Sequence, residues 1–267
     1  MTFRPSVPVS ALPVSAPPRV RERLRAAPDG PVAVLHRGPH AVYVDVAGHC
    51  VGVVTRGATQ VPCALRSTLE LFTPQPPRRG YLRSGVLHLD GRPLVVGRVA
   101  DVHVAPLDPG TVQPASSAMY VVIPPAAVVG LVSHVGLSGA DPDLFVRLLP
   151  ALVGRGDGLT PLGDDLVCGW LATHRAAGVA TPAADRAVRQ LAPRTTALSA
   201  ALLDCALHGE ALPQLAAYLA ARGSAAEPAA ATALLAVGHT SGAGLLHGAR
   251  LALAGLARPA APGGAAA

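Results

Sequence analysis

Thr160, Asp164, Asp165, Thr240 and Ser241 are the residues whose types and spacing could do chemistry. The first three lie in the segment from Gly154 to Trp170, GRGDGLTPLGDDLVCGW. Thr160 followed by Pro161 predicts a helix start, because a threonine oxygen can cap free N–H groups and proline at the first helical position loses a donor that had no partner. A glycine-rich turn (Gly156, Gly158) entering such a start would expose N–H donors at the positive end of a helix, which favours an anion. Asp164 and Asp165 suit the helix dipole but would repel that anion unless a metal or an arginine intervenes. Adjacent helical residues point about 100° apart. One aspartate could therefore orient the loop by accepting N–H bonds while the other faces a pocket.

Two further starts share this chemistry. Gly238-His239-Thr240-Ser241-Gly242 precedes an apolar run through Leu245, Leu246, Leu251 and Leu253, and Arg194-Thr195-Thr196 precedes Ser199. Ser and Thr cap most ordinary helices, so each start alone is also a simple structural cap. Glycine in a first turn costs about 1 kcal/mol against alanine. Gly163 and Gly242 therefore imply that something approaches the backbone closely. Arg155 and Arg194 flank two of the starts, and their forked guanidinium groups match carboxylate or phosphate oxygens. His239 could donate to an anion or move a proton, or simply pack in a tight turn. A metal-dependent hydrolase, with Asp164 and Asp165 holding Mg²⁺ through water, is a further reading; no third carboxylate has a clear motif, and Asp157 and Asp204 are no more than candidates.

The elements that position these residues fall into two halves. From about residue 31, short β-branched runs alternate with glycine and proline: Val32–Leu35, Ala41–Val46, Cys50–Val54, Val86–Leu89 and Leu94–Val104. Asp90-Gly91 marks a hairpin corner. Past Val121 the apolar residues recur at three- and four-residue spacings. Helices are expected over Pro124–Val135, from Asp141 to Leu152, Pro161–Ala177, Asp185–Leu191, Thr196–Leu207, Pro213–Ala221, Ala229–Val237 and Gly242–Leu256. The expected class is α+β, an N-terminal antiparallel β sheet or small barrel followed by a C-terminal mainly helical domain. The expected divisions are a loose N-terminus with one short basic helix over 1–30, a β-rich domain over 31–115, a helical domain over 116–257 and a disordered tail over 258–267.

Composition narrows the function classes. Half of the 267 residues are apolar, which makes a globular chain with a sizeable core. All 22 basic residues are arginine, and lysine and asparagine are absent. That removes Schiff-base lysines, Walker-type phosphate lysines and asparagine oxyanion-hole donors. The net charge of +6 resides in residues 1–115, with 13 Arg against 7 Asp and Glu, whereas residues 116–267 carry 9 of each. Aromatics are only 3% of the chain, so the arginines lack the stacking partners of a nucleic-acid surface. Cys50, Cys63, Cys168 and Cys205 show no metal-ligand spacing, and buried reduced thiols are expected. Early prolines argue against a signal peptide, and Pro124-Pro125 and His134 argue against a span from Tyr120 to Ala140. No nucleic acid, no membrane and a cytoplasmic location are the expectations.

With the motifs in view, Gly156-x-Gly-Leu-Thr-Pro-x-Gly-Asp-Asp165, then Thr195/Thr196 with Ser199, then Gly-His-Thr-Ser-Gly242 resemble the signature of AllH-type proteins. That family includes a subunit assigned to oxamate carbamoyltransferase in anaerobic allantoin breakdown. The resemblance extends more loosely to the opening strands near Pro31–Arg37 and Val54. It implies purine catabolism, a small anionic substrate such as carbamoyl phosphate or oxamate, and an acyl-CoA-synthetase-like partner subunit. It carries Gly156, Gly158, Thr160, Gly163, Asp164, Asp165, Thr240, Ser241 and Gly242 over as candidate site residues. Leu162 stands where the pattern commonly has serine, which removes one hydroxyl. A non-catalytic binding or scaffold subunit is the alternative implied by the same resemblance.

Overall fold

Alternation of apolar and polar residues accounts for the first half of the chain. In β8 (Val86–Leu89), Leu87 and Leu89 are buried while Val86 and His88 are half-buried, as expected where one sheet face meets a core. The computed structural model of the chain describes residues 10–107, Gly130 and residues 142–257. The chain divides into two compact units, Met1–Val102 and His103–Ala267.

The first unit is a nine-stranded sheet with one helix. Its strands are β1 (Leu12–Ala16), β2 (Gly30–Val32), β3 (Val34–Arg37), β4 (Ala41–Val46), β5 (His49–Val54), β6 (Ala64–Ser67), β7 (Gly80–Arg83), β8 and β9 (Arg92–Val99). Their order across the sheet is β2-β7-β8-β9-β1-β6-β5-β4-β3. The two edge strands are consecutive in the chain, with only Ala33 between them, so the sheet must curl until its edges approach. The Ala33 carbonyl accepts a hydrogen bond from Asp45 N–H of β4 (2.8 Å), which continues the β3–β4 pairing into the link, and the sheet is nearly closed. Its core holds Val14, Val42, Val44, Val51, Val53, Leu65, Leu82 and Leu87, joined by Val20 and Leu24 of α1 (Pro18–Ala26).

Three features differ from the sequence expectations. Leu12–Ala16 falls in the stretch expected to be loose, yet forms a central strand, antiparallel to β6 and parallel to β9. Its prolines read as breakers, whereas the alternation decides: Leu12, Val14 and Ala16 face inward and Pro13 faces solvent. The sheet is mixed, because β5 and β6 also pair in parallel. The segment after β9 leaves the sheet: Val104 N–H bonds Gly209 O (2.9 Å) and Leu107 N–H bonds Ala176 O (2.7 Å), both within the second unit. The Asp90-Gly91 corner is as expected, with φ of 46° and 81° suited to a tight hairpin. The helix expected over Pro124–Val135 (Gly130 aside), the region between Asp108 and Ala118, residues 1–9 and the tail from residue 258 lie outside the described residues.

The second unit is helical: α2 (Pro142–Leu152), α3 (Leu162–Ala176), α4 (Pro182–Leu191), α5 (Ala197–Leu207), α6 (Pro213–Ala220), α7 (Glu227–Leu235) and α8 (Ser241–Leu256). α3 is its centre, since every residue of it except Arg175 is buried. Such a helix carries apolar residues on every side because every side is covered, and its buried polar groups, Asp164, Asp165, Thr173 and His174, are the exceptions. Trp170 stacks on Phe145 of α2 at 4.3 Å between centroids. α8 lies against α3 at backbone contact. A Cβ at Gly248 would come within 1.9 Å of Leu166 O, and one at Gly169 within 2.1 Å of Leu245 O. Among the described residues no helix is long and apolar enough to cross a membrane.

This crossing yields a direct test. Gly248→Ala or Gly169→Ala must push the helices apart, and overpacking of this kind costs about 1–3 kcal/mol. Denaturant midpoints should fall accordingly, and a loss below about 0.5 kcal/mol would show that the helices are not in backbone contact.

Candidate functional site at the start of α3

The loop from Gly154 to Thr160 turns back over the first turn of α3. Gly154, Gly156 and Gly158 have φ of 79°, 122° and 88°, a region costly for any residue with a Cβ. The loop is held by the helix it precedes. Asp164 Oδ1 accepts from Gly154 N–H (2.8 Å), and the Arg155 carbonyl accepts from Gly163 N–H (2.8 Å). The third helix start closes on the same loop: Thr195 Oγ1 donates to Asp164 Oδ2, and Thr196 Oγ1 donates to the Leu159 carbonyl. Thr196 also caps α5 by accepting Ser199 N–H (3.0 Å).

The second start arrives from the other side. Thr160 Oγ1 and Ser241 Oγ share a hydrogen bond of 2.8 Å, and the Ser241 hydroxyl also bonds Asp165. The stretches 156–165 and 238–242 therefore meet, at the juncture where α3 and α8 begin. Gly244, one turn into α8, makes room for this carboxyl, since a Cβ there would sit 2.8 Å from Asp165 Cβ.

Several expectations are corrected here. Thr160 and Thr240 do not cap their helices: neither start has a side-chain cap, and α3 begins after Pro161. Thr160 spends its hydroxyl on Ser241 instead. The α3 donors are not presented to an anion, because Gly163, Asp164 and Asp165 N–H bond the Arg155 and Pro161 carbonyls. The close approach implied by Gly163 and Gly242 is made by the protein's own chain. Cβ atoms there would meet Leu152 O at 2.0 Å and Leu234 O at 1.9 Å.

The two carboxylates share a turn but not an environment. Asp164 is 1% exposed; burial raises its pKa, opposed by the hydrogen bonds from Thr195 and Gly154. Asp165 is 4% exposed, and its Oδ2 has no hydrogen-bond partner among the described residues. Burial pushes its pKa up to about 8, against the lowering effect of Ser241, with the nearby Asp164 charge adding to the rise. Arg155, Gly156, Gly158, Arg194 and His239 are exposed around these groups, while Thr195 and Thr240 are half-buried. Among the described residues no group of three or more His, Cys, Asp or Glu is placed to hold a metal ion. Neither Asp157 nor Asp204, both among the described residues, joins the pair in such a group. The aspartate pair does not fit Mg²⁺, which needs near-octahedral oxygen ligands, because both Asp164 oxygens are already engaged.

Residues 152–253 match the family described as oxamate carbamoyltransferase subunit AllH. No curated protein and no solved structure matches the chain. The AllH segment contains the loop, both aspartates and all three helix starts, and leaves the β unit outside. Sequence reasoning missed Gly154 and Gly244 within it. The small residues at every fourth position of α8 (Gly244, Gly248, Ala252) are the signal that could have found the second.

The Asp165 environment has a pH consequence. Its folded pKa lies above the unfolded value, so the folded state keeps a proton that the unfolded state has released from about pH 4 to pH 8. Stability from this group is complete below that window and is lost as pH rises through it, with a slope approaching about 1.4 kcal/mol per pH unit. Asp165→Asn removes the linkage. Its denaturant midpoint should gain on the wild type between about pH 5 and pH 8.5, and parallel curves for the two proteins would refute the assignment.

Proposed function

We propose that this chain is a subunit of an oxamate-type carbamoyltransferase and that the juncture of α3 and α8 handles the transferred group. The observation that carries the reading is Asp165, a buried carboxyl with one oxygen unpartnered among the described residues, bonded to a serine that is itself bonded to Thr160. It lies inside the segment that matches the AllH family.

In this reading the amide nitrogen of an oxamate-like acceptor attacks the carbonyl carbon of carbamoyl phosphate. The carbon–oxygen bond to phosphate then breaks, and phosphate departs. The Thr240 hydroxyl is a donor for the developing oxyanion, and the Thr160 and Ser241 hydroxyls join it when substrate opens their mutual bond. Asp165, when ionised, takes the proton that the nitrogen gives up. Arg155 and Arg194, exposed on the rim, engage carboxylate or phosphate oxygens, and His239 serves proton exchange with solvent. Asp164 is a positioning residue: its oxygens hold Gly154 and Thr195, and through them the loop. The word subunit in the family description supports a partner chain, for which an acyl-CoA-synthetase-like protein is the candidate.

Phosphate release from carbamoyl phosphate with oxamate tests the reading. Activity should rise with pH through about 8 as Asp165 ionises. It should fall about 10²–10⁴-fold in Asp165→Asn, with loss of the pH-dependent limb. Unchanged turnover in Asp165→Asn would refute the assignment. An inactive wild-type chain that still binds oxamate would favour a non-catalytic subunit.

A further inference from the structure

The β unit carries a cavity that the site above does not use. It is about 550 Å³ in volume, its lining includes Arg56, Arg66, Arg98, Ser15, Thr68 and Gly97, and no acidic side chain lines it among the described residues. Volumes of this order suit a single small ligand.

Strand register explains why three arginines gather there. Ser15 of β1 pairs with Arg66 of β6 on one side and with Arg98 of β9 on the other. Neighbouring strands are about 4.8 Å apart, so the two arginines flank one serine at positions roughly 10 Å apart. This row depends on an irregularity. Val14 pairs with Val96, but Ser15 pairs with Arg98, so Gly97 is an extra residue in β9. Without that bulge Gly97 would stand opposite Ser15. Bulges of this kind re-aim a side chain and favour functional edges. The space above Gly97 is open, since a Cβ there would meet nothing within 4 Å.

The arginines are also partly fixed. Arg66 Nη1 donates to Gln60 Oε1 (2.8 Å) and Nη2 to the Arg56 carbonyl (3.2 Å), which orients its fork and leaves further donors for a ligand. Arg56 forms an exposed ion pair with Glu70 at 3.3 Å. Setting that one carboxylate against three guanidinium groups leaves about two positive charges at the cavity. A phosphoryl group carries up to two negative charges and several oxygens for arginine forks, whereas a single carboxylate occupies one fork. Aromatic side chains, which nucleobases would stack on, are absent from the lining among the described residues.

We propose that the outer face of β6-β1-β9 binds a small phosphorylated ligand, a phosphomonoester or diphosphate, between Arg66 and Arg98, with the Ser15 and Thr68 hydroxyls as additional donors. This site is separate in sequence from the AllH segment and stands whether or not the carbamoyl-transfer reading does.

Calorimetric titration of the full chain with pyrophosphate and inorganic phosphate, at low ionic strength, tests it, with oxalate as the carboxylate control. Pyrophosphate should bind more tightly than oxalate, and Arg98→Gln should weaken it by about tenfold, the effect of one charge-assisted hydrogen bond. Arg66→Gln should do the same. Arg98 is exposed, so its variant carries the test even if Arg66→Gln folds poorly. Arg25→Gln, with equal charge loss on α1, should leave pyrophosphate binding unchanged. Equal binding by wild type and Arg98→Gln, an equal loss in Arg25→Gln, or no pyrophosphate binding up to millimolar concentration would each overturn the proposal.

Discussion

The backbone contact between α3 and α8 is the constraint on which the site depends. Two helices ordinarily pack 8–10 Å apart, at a distance set by their side chains. Here glycine occupies the crossing on both helices, at Gly169 on α3 and at Gly244 and Gly248 on α8, and main-chain atoms take the place of side chains. That approach brings the first residue of α8 beside the first turn of α3. The bond between Thr160 and Ser241, and the bond from Ser241 to Asp165, exist because of it. A larger residue at the crossing would separate the hydroxyls from the carboxyl while leaving each helix intact.

The same closeness shapes the electrostatics. Two aspartates in successive helical positions would normally both seek water. Burying them side by side is tolerable because they point to different partners. Asp164 spends both oxygens on the glycine loop and on Thr195, and so acts as a clasp for three segments. Asp165 has the Ser241 hydroxyl as a hydrogen-bond partner, and its Oδ2 has none among the described residues. A carboxyl in that situation holds its proton up to about pH 8, the range in which a proton-transfer group is useful. Loop order and proton affinity are thus divided between neighbouring residues of identical chemistry.

The β unit shows a related economy. Its strand order forces edge strands that are consecutive in the chain to the two ends of one sheet, so closure follows from connectivity. Closure puts β1, the first described strand, in the middle. Pro13 tolerates that position because it faces outward. The one-residue bulge in β9 then sets which side chain stands beside Ser15.

Local rules were legible in the sequence. Whereas nothing in one dimension brings Ser241 to Thr160, the α+β order, the helical spacing of the second half and the hairpin at Asp90-Gly91 all follow from residue type and short-range pattern. So does the division of labour between the two aspartates, because adjacent helical positions diverge. The sequence alone could not determine which aspartate clasps the loop, what approaches Gly163 and Gly242, or whether Thr160 caps its helix or reaches across to Ser241. Those outcomes depend on contacts between residues far apart in the chain, 81 positions in the case of Thr160 and Ser241. A hydroxyl beside a helix start can satisfy its hydrogen bond locally or across an interface at similar energy. Only the packing of α8 on α3, fixed by glycine backbones in contact, decides between them.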